Sequence, residues 1–195
     1  MNMYKKRLTT NDKKYELKVF PADENDKYGY YVFYKGVEED ETAWRQASIF
    51  KCADRKYVQV RTKWGEGGIL MGYLHQIIFA YYCNWSKMST KFDDHNRAFH
   101  IHHIFKGEPI ESNFPLFNNP FNMVYLSPSD HRKIEIYLNK MNAGTASDEE
   151  QAEYNAIVGT AAVLRDRAMK KIMSEESFEA RKARFEEAID ELYKK

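Results

Sequence analysis

The sequence predicts an α+β fold with a strand-rich N-terminal part, a central strand–strand–helix unit and a helical C-terminal extension. Short aromatic and β-branched segments interrupted by glycines fill the first third, and three histidines cluster near the middle. Beyond Ser147 almost every segment has helical periodicity. We therefore divide the chain into residues 1–56, a core of residues 57–144 that contains the strand–strand–helix unit at about 98–141, and an extension of residues 145–195.

The N-terminal strands are predicted from composition and turn residues. YELKVF, YGYYVFYK and KYVQVRTKW are rich in the aromatic and β-branched residues that strands favour, and the acidic loops DENDKY and VEEDETA interrupt them. The following segment, LMGYLHQIIFAYYCNW, has apolar residues at helical spacing from Leu70 to Tyr81. It predicts a buried helix over residues 70–85, although its aromatic content would also suit a strand.

The central unit begins with RAFHIHHIF, which alternates like a strand and contains His100, His102 and His103. A long loop over residues 106–119 follows, and NMVYL is the second short strand. Ser127 is then a candidate N-cap, with Pro128 at the first helical position and an aspartate in the first turn. This helix is predicted to run to about Met141 and to stop at the Asn-Ala-Gly of residues 142–144.

The C-terminal extension starts with Ser147-Asp-Glu-Glu150, which has the form of a capping box. Apolar stripes follow, including Ile157, Phe178 and Phe185. Because an amphipathic helix must cover its apolar face, we expect this extension to pack on the core or to form a homodimer with a second copy of the chain. Its slight acidic excess argues against direct contact with DNA.

Composition limits the kinds of protein and site. No run approaches the roughly 18 apolar residues of a membrane helix, and the start of the chain lacks the apolar stretch of a signal peptide, so we expect an intracellular protein without a membrane partner. Cys52 and Cys83 form no CxxC pair, which leaves His, Asp, Glu or Asn to hold any metal. The net charge is only +1, but five basic residues and one acidic residue lie between Lys51 and Trp64. Nucleic acid would therefore bind the front part of the chain.

The order of elements and of polar residues resembles the HNH endonuclease family, whose members share a ββα-metal site. The matching residues are the pair His102-His103, Asn122 and His131, and the likeness is greatest to the homing endonucleases of phages and introns. The spacing of nine residues from Asn122 to His131 matches the family. The spacing of nineteen residues from His103 to Asn122 is longer than in compact members. The likeness extends over about residues 57–140, with His75 in the place of a helix histidine of this subgroup.

The resemblance implies a role for each matching residue. His102 and His131 are the expected metal ligands, His103 is the general base, and Asn122 braces the loop. The implied activity is hydrolysis of phosphodiester bonds in double-stranded DNA, in the cytoplasm of a bacterium or a phage-infected host. One divalent ion is expected, from among Mg, Mn, Co, Ni and Zn, and two imidazole ligands favour a transition ion for binding. We name Arg61, Lys63, Arg132 and Lys133 as candidates for DNA phosphate contacts.

The residue types suit this chemistry, because a neutral imidazole with a pKa near 6.5 can accept a proton from water at physiological pH. His75 and His100 are interpreted as structural, although strand alternation places His100 on the same face as His102 and leaves a third-ligand role open. Two alternatives to a DNA nuclease remain. One is a catalytically idle DNA-binding or assembly protein with this fold, and the other is a nuclease that acts on RNA or as a toxin.

Overall fold

The computed structural model describes residues 6–10, 13–24, 26–51, 57–62, 69–82, 100–103 and 118–193. Small antiparallel sheets and α-helices make up these residues, as the predicted α+β class requires. Within the described ranges, every helix is either too short or too polar to span a bilayer.

The first sheet joins four antiparallel strands in the order β1 (Lys6–Thr10), β2 (Lys13–Pro21), β3 (Tyr30–Gly36) and β4 (Arg45–Gln46). The predicted strand YELKVF falls within β2, and YGYYVFYK overlaps β3, which begins two residues later than predicted, at Tyr30, and largely alternates between buried and half-buried side chains. Leu17, Val19, Val32 and Tyr34 are on the buried face.

The second sheet contains β5 (Ser48–Phe50), β6 (Gln59–Arg61) and β7 (Leu70–Tyr73), and helix α1 (Leu74–Tyr82) follows β7 directly. The prediction of a helix from Leu70 was therefore wrong for its first four residues. They pair with β6 instead, with Gly72 opposite Val60. The helix starts where the Gln76 side chain accepts a hydrogen bond from the Tyr73 backbone N–H at 3.2 Å, the N3-to-N-cap bond of a capping box.

The third sheet pairs β8 (His100–His103) with β9 (Met123–Leu126), and helix α2 (Pro128–Asn142) follows. The predicted N-cap is confirmed, since Ser127 Oγ accepts a hydrogen bond from the Asp130 N–H at 3.1 Å. Just beyond the helix, Gly144 has the positive φ of 67° that glycine adopts without strain. The predicted loop over residues 106–119 lies outside the described residues, except for its last two positions.

Helices α3 (Asp148–Met173) and α4 (Phe178–Tyr193) form the C-terminal extension, and the predicted capping box at Ser147 is present in both its bonds. Helix α3 fixes the position of α2 through a small apolar cluster of Leu126, Ile134 and Val158. Ion pairs join the same two helices, Lys140 to Glu150 and Lys133 to Glu153.

The main hydrophobic core is centred on α1 and contains side chains from all three predicted regions. The Tyr82 hydroxyl donates to the Val19 carbonyl at 3.1 Å and so ties α1 to the first sheet. Of the two arrangements expected for the extension, packing on the core is observed, and the homodimer stays a prediction. The extension contributes Met169, Ile172, Phe185 and Ile189 to the core.

Phe185→Ala should lower the free energy of unfolding by about 3–5 kcal/mol, the usual cost of truncating a buried phenylalanine. The side chain is 1% exposed and contacts the rings of Tyr82 and Phe121 edge-on. Urea unfolding monitored by circular dichroism measures the loss. Ile136→Ala is the matched control: Ile136 is 48% exposed and its truncation should change stability by no more than about 0.5 kcal/mol. Equal effects of the two variants would contradict the packing of α4 on the core.

Candidate metal centre

The two faces of β8 separate its histidines. His100 and His102 are two residues apart and share one face, whereas His103 lies on the other. The shared face is turned toward α2, because the His131 ring lies edge-on to the rings of His100 and His102. The centroid of the His131 ring is 5.0 Å from that of His100 and 5.2 Å from that of His102. His102 is buried at 2% exposure, whereas His100 is exposed.

Helix α2 presents two polar groups to His102. His131 and Glu135 are four residues apart, the spacing that places side chains one above the other on a helix face. One carboxylate oxygen of Glu135, Oε1, is 3.5 Å from His102 Nδ1 and 3.9 Å from His131 Nε2. One ligand atom from each of the three residues lies within 4.8 Å of the other two.

This arrangement fits a divalent ion. Nitrogen and oxygen ligands bound at about 2.1 Å in a tetrahedral geometry are about 3.4 Å apart, and the two distances from Glu135 Oε1, 3.5 and 3.9 Å, are close to that value. Two imidazoles and one carboxylate suit zinc and the neighbouring transition ions, and three protein ligands leave a coordination position for water or substrate. The structure therefore brings together the two ligands predicted from the sequence and makes a metal site possible there.

Glu135 was not predicted as part of this site. The signal was present, because a carboxylate four residues after a candidate helix ligand lies on the same helix face. This spacing alone does not identify a ligand, because exposed helices commonly have a carboxylate four residues after a histidine. The position of the neighbouring strand is also needed. The third position that was left open for His100 is occupied by Glu135 in this cluster.

His103 lies on the opposite face of β8, half-buried against α1. Its ring centroid is 5.7 Å from that of His75, which is itself nearly parallel to Tyr73 at 6.0 Å and tilted against Tyr57 at 4.8 Å. Burial, and to a smaller extent the nearby His103, together lower the pKa of His75 to about 3. His75 is therefore a neutral, buried ring in contact with the predicted base.

Native stability should fall with acid partly because of His75. Its pKa is about 6.5 in the unfolded chain and about 3 in the folded one, so between these values the unfolded state binds more protons. Lowering the pH from 7 to 5 should therefore cost about 2 kcal/mol through this residue alone. Urea unfolding at each pH measures it, and His75→Phe should remove that part of the slope. An unchanged slope in His75→Phe would contradict a depressed pKa.

Two asparagines lie at the ends of the turn that leads into β9. Asn119 caps a short 3-10 turn, Pro120–Asn122, by accepting a hydrogen bond from the Phe121 N–H at 2.9 Å. Asn122 is fully buried at the end of that turn, directly before β9. The loop that it is expected to brace lies outside the described residues, so its bracing role stays a prediction.

The candidates for phosphate contacts have different surroundings. Arg132 is exposed on α2 next to His131. The neighbouring Lys133 donates to Glu153 at 2.6 Å, which raises its pKa and engages its charge within the protein. Arg61 on β6 donates to Gln59 and lies over the Phe50 ring, and Lys63 is outside the described residues. Of the three candidates that the structure describes, Arg132 therefore has the geometry best suited to an external anion.

Comparison with known proteins adds no relative: no protein-family model matches the chain, and no curated protein or solved structure is significantly similar to it.

Proposed function

We propose that the chain is a metal-dependent endonuclease of the HNH type that hydrolyses phosphodiester bonds in DNA. The observation that carries the proposal is the convergence of His102 from a strand with His131 and Glu135 from the following helix, next in sequence to a further histidine. A strand pair followed by a helix with ligands from the first strand and the helix is the arrangement that the resemblance to HNH nucleases leads us to expect.

The two faces of β8 divide the roles in this proposal. His102 belongs to the ion site on the α2 side, and His103 supplies the base on the α1 side. Among the described residues β8 pairs only with β9, and no described strand forms backbone hydrogen bonds with its other edge. A phosphate that reaches both histidines would lie across that edge.

Each side chain then has a defined task. A bound divalent ion supplies positive charge that stabilises the charge developing on the phosphate and the leaving oxygen. His102, His131 and Glu135 would hold this ion. Because His102 is buried, water does not compete with the ion for its ring nitrogen. His103 accepts the proton of the attacking water. Arg132, exposed beside the ligand His131, contributes a bidentate contact to a phosphate oxygen pair.

The test is incubation of supercoiled plasmid with the full chain and, separately, Mg²⁺, Mn²⁺, Co²⁺, Ni²⁺ or Zn²⁺. Nicked or linear product that EDTA abolishes supports the proposal. A structured RNA of similar length is digested in parallel, and faster loss of RNA than of DNA would instead select the RNA nuclease. Tight binding of DNA without cleavage under any ion would select the idle DNA-binding protein.

A further inference from the structure

His75 has no task in the mechanism above, yet it is the residue whose ring contacts His103 from α1. It is 9% exposed and lies in the first turn of a helix that is otherwise almost entirely buried in the core. A polar ring in such a place needs a reason, because a buried imidazole gives up its hydration.

The rings of Tyr57 and Tyr73 pack against His75, and we call these three rings the stack. Tyr73, the last residue of β7, is parallel to His75 within 6°, and Tyr57 lies against it at 4.8 Å. The stack therefore combines rings from β7, α1 and the segment before β6, and β7 leads directly into α1. Rings packed in this way have little freedom to rotate.

His103 lies against this stack, with its ring tilted by 59° to that of His75. We infer that His75 is a positioning residue for His103: it supports one side of the base's ring and fixes the direction in which that ring meets the attacking water. The inference rests on the proposed function, since it assigns His103 the base of that reaction.

The chemistry of His75 suits this task. Its pKa of about 3 keeps it neutral throughout the range in which a nuclease works, so it places no second positive charge beside His103. A lysine or a charged histidine in the same place would repel a protonated base. A neutral ring offers packing without that repulsion.

Single-turnover cleavage of a labelled duplex at saturating DNA and Mn²⁺ tests the inference. His75→Ala should cut on the order of 10²-fold more slowly, the cost of a base misplaced by about an ångström. The dissociation constants for DNA and Mn²⁺ should stay unchanged. His75→Phe, which keeps a flat ring, should recover most of the rate.

Ile77→Ala is the matched control. Ile77 is fully buried on the same helix and lies two residues, or about 200°, around from His75. It should lose at least as much thermal stability and still cut at the native rate. A native rate in His75→Ala, or equal rate losses in the two variants, would overturn the inference.

A second readout needs no activity and no substitution. In NMR spectra of the native full chain, His103 should occupy one χ1 rotamer and show nuclear Overhauser contacts to the His75 ring; several rotamers, or no such contact, would overturn the inference even if DNA is cut. If the native chain cuts no DNA, the proposed function fails while this spectrum still decides whether His75 holds His103.

Discussion

His103→Ala should cut DNA about 10²–10⁴-fold more slowly than the native chain, the usual worth of a general base. Its affinity for metal should remain, because the three candidate ligand atoms belong to His102, His131 and Glu135. Single-turnover rates under saturating ion measure the first effect, and isothermal titration calorimetry measures the second. Loss of ion binding in this variant would mean that the roles of His102 and His103 are exchanged.

His100→Ala is the control for this assignment. His100 is exposed, lies on the ligand face of β8 and contacts His131, so it is the other histidine of the strand that could act as a base. We expect its loss to change the cleavage rate far less than the loss of His103. The opposite ranking would place the base on the α2 side of β8 and contradict the role of His103.

His131→Ala should weaken binding of the divalent ion by roughly 10²–10³-fold. The binding free energy of a four-ligand zinc site is typically about 10–16 kcal/mol, and each ligand contributes roughly a quarter of it. In the native chain, affinity should rise from Mn²⁺ through Co²⁺ to Ni²⁺ or Zn²⁺, and Mg²⁺ should bind weakly, because imidazole nitrogens favour the later ions. Calorimetric titration of each ion at fixed pH measures both effects. Glu135→Gln should also lose affinity, as it removes the one negative charge of the cluster.

Asp130→Asn is the control for the metal site. Asp130 is adjacent to His131, but its carboxylate accepts a hydrogen bond from the Ser127 hydroxyl at 2.7 Å at the start of α2. Its substitution should leave ion affinity within about twofold, as expected for a surface change outside the ligand set. If His131→Ala bound Mg²⁺ and Mn²⁺ equally and as tightly as the native chain, the two-histidine site would be ruled out. Asp93, Asp94 or Asp130 would then have to supply the ligands.

Local signals made much of the fold predictable. The caps at Ser127 and Ser147 fix the starts of α2 and α3, because each satisfies backbone N–H groups that no residue within the helix can reach. Composition and turn residues likewise identified β2 and β3, and alternation identified β8. Residues 70–73 were misassigned because Leu70 and Leu74 fit helical spacing, while the pairing of β7 with β6 depends on a distant segment.

The site was predictable in its residue types and incomplete in its contacts. His102 and His131 could be named from their order along the chain, and they do meet in space. Glu135 is four residues from His131 and therefore on the same helix face, but its contact with His102 depends on how α2 packs against β8. The contact of His75 with His103 joins residues 28 positions apart, and such contacts follow from tertiary packing alone.

The most direct test of a metal-dependent nuclease at His102, His131 and Glu135 is a paired titration. Mn²⁺ is added stepwise to the native chain, and ion occupancy and plasmid cleavage rate are measured on the same samples. We expect one ion per chain, a cleavage rate that rises in proportion to its occupancy, and a shift of both curves to higher Mn²⁺ in His131→Ala. An ion that saturates this site without any cleavage, or cleavage that proceeds equally in EDTA, would contradict the proposed function.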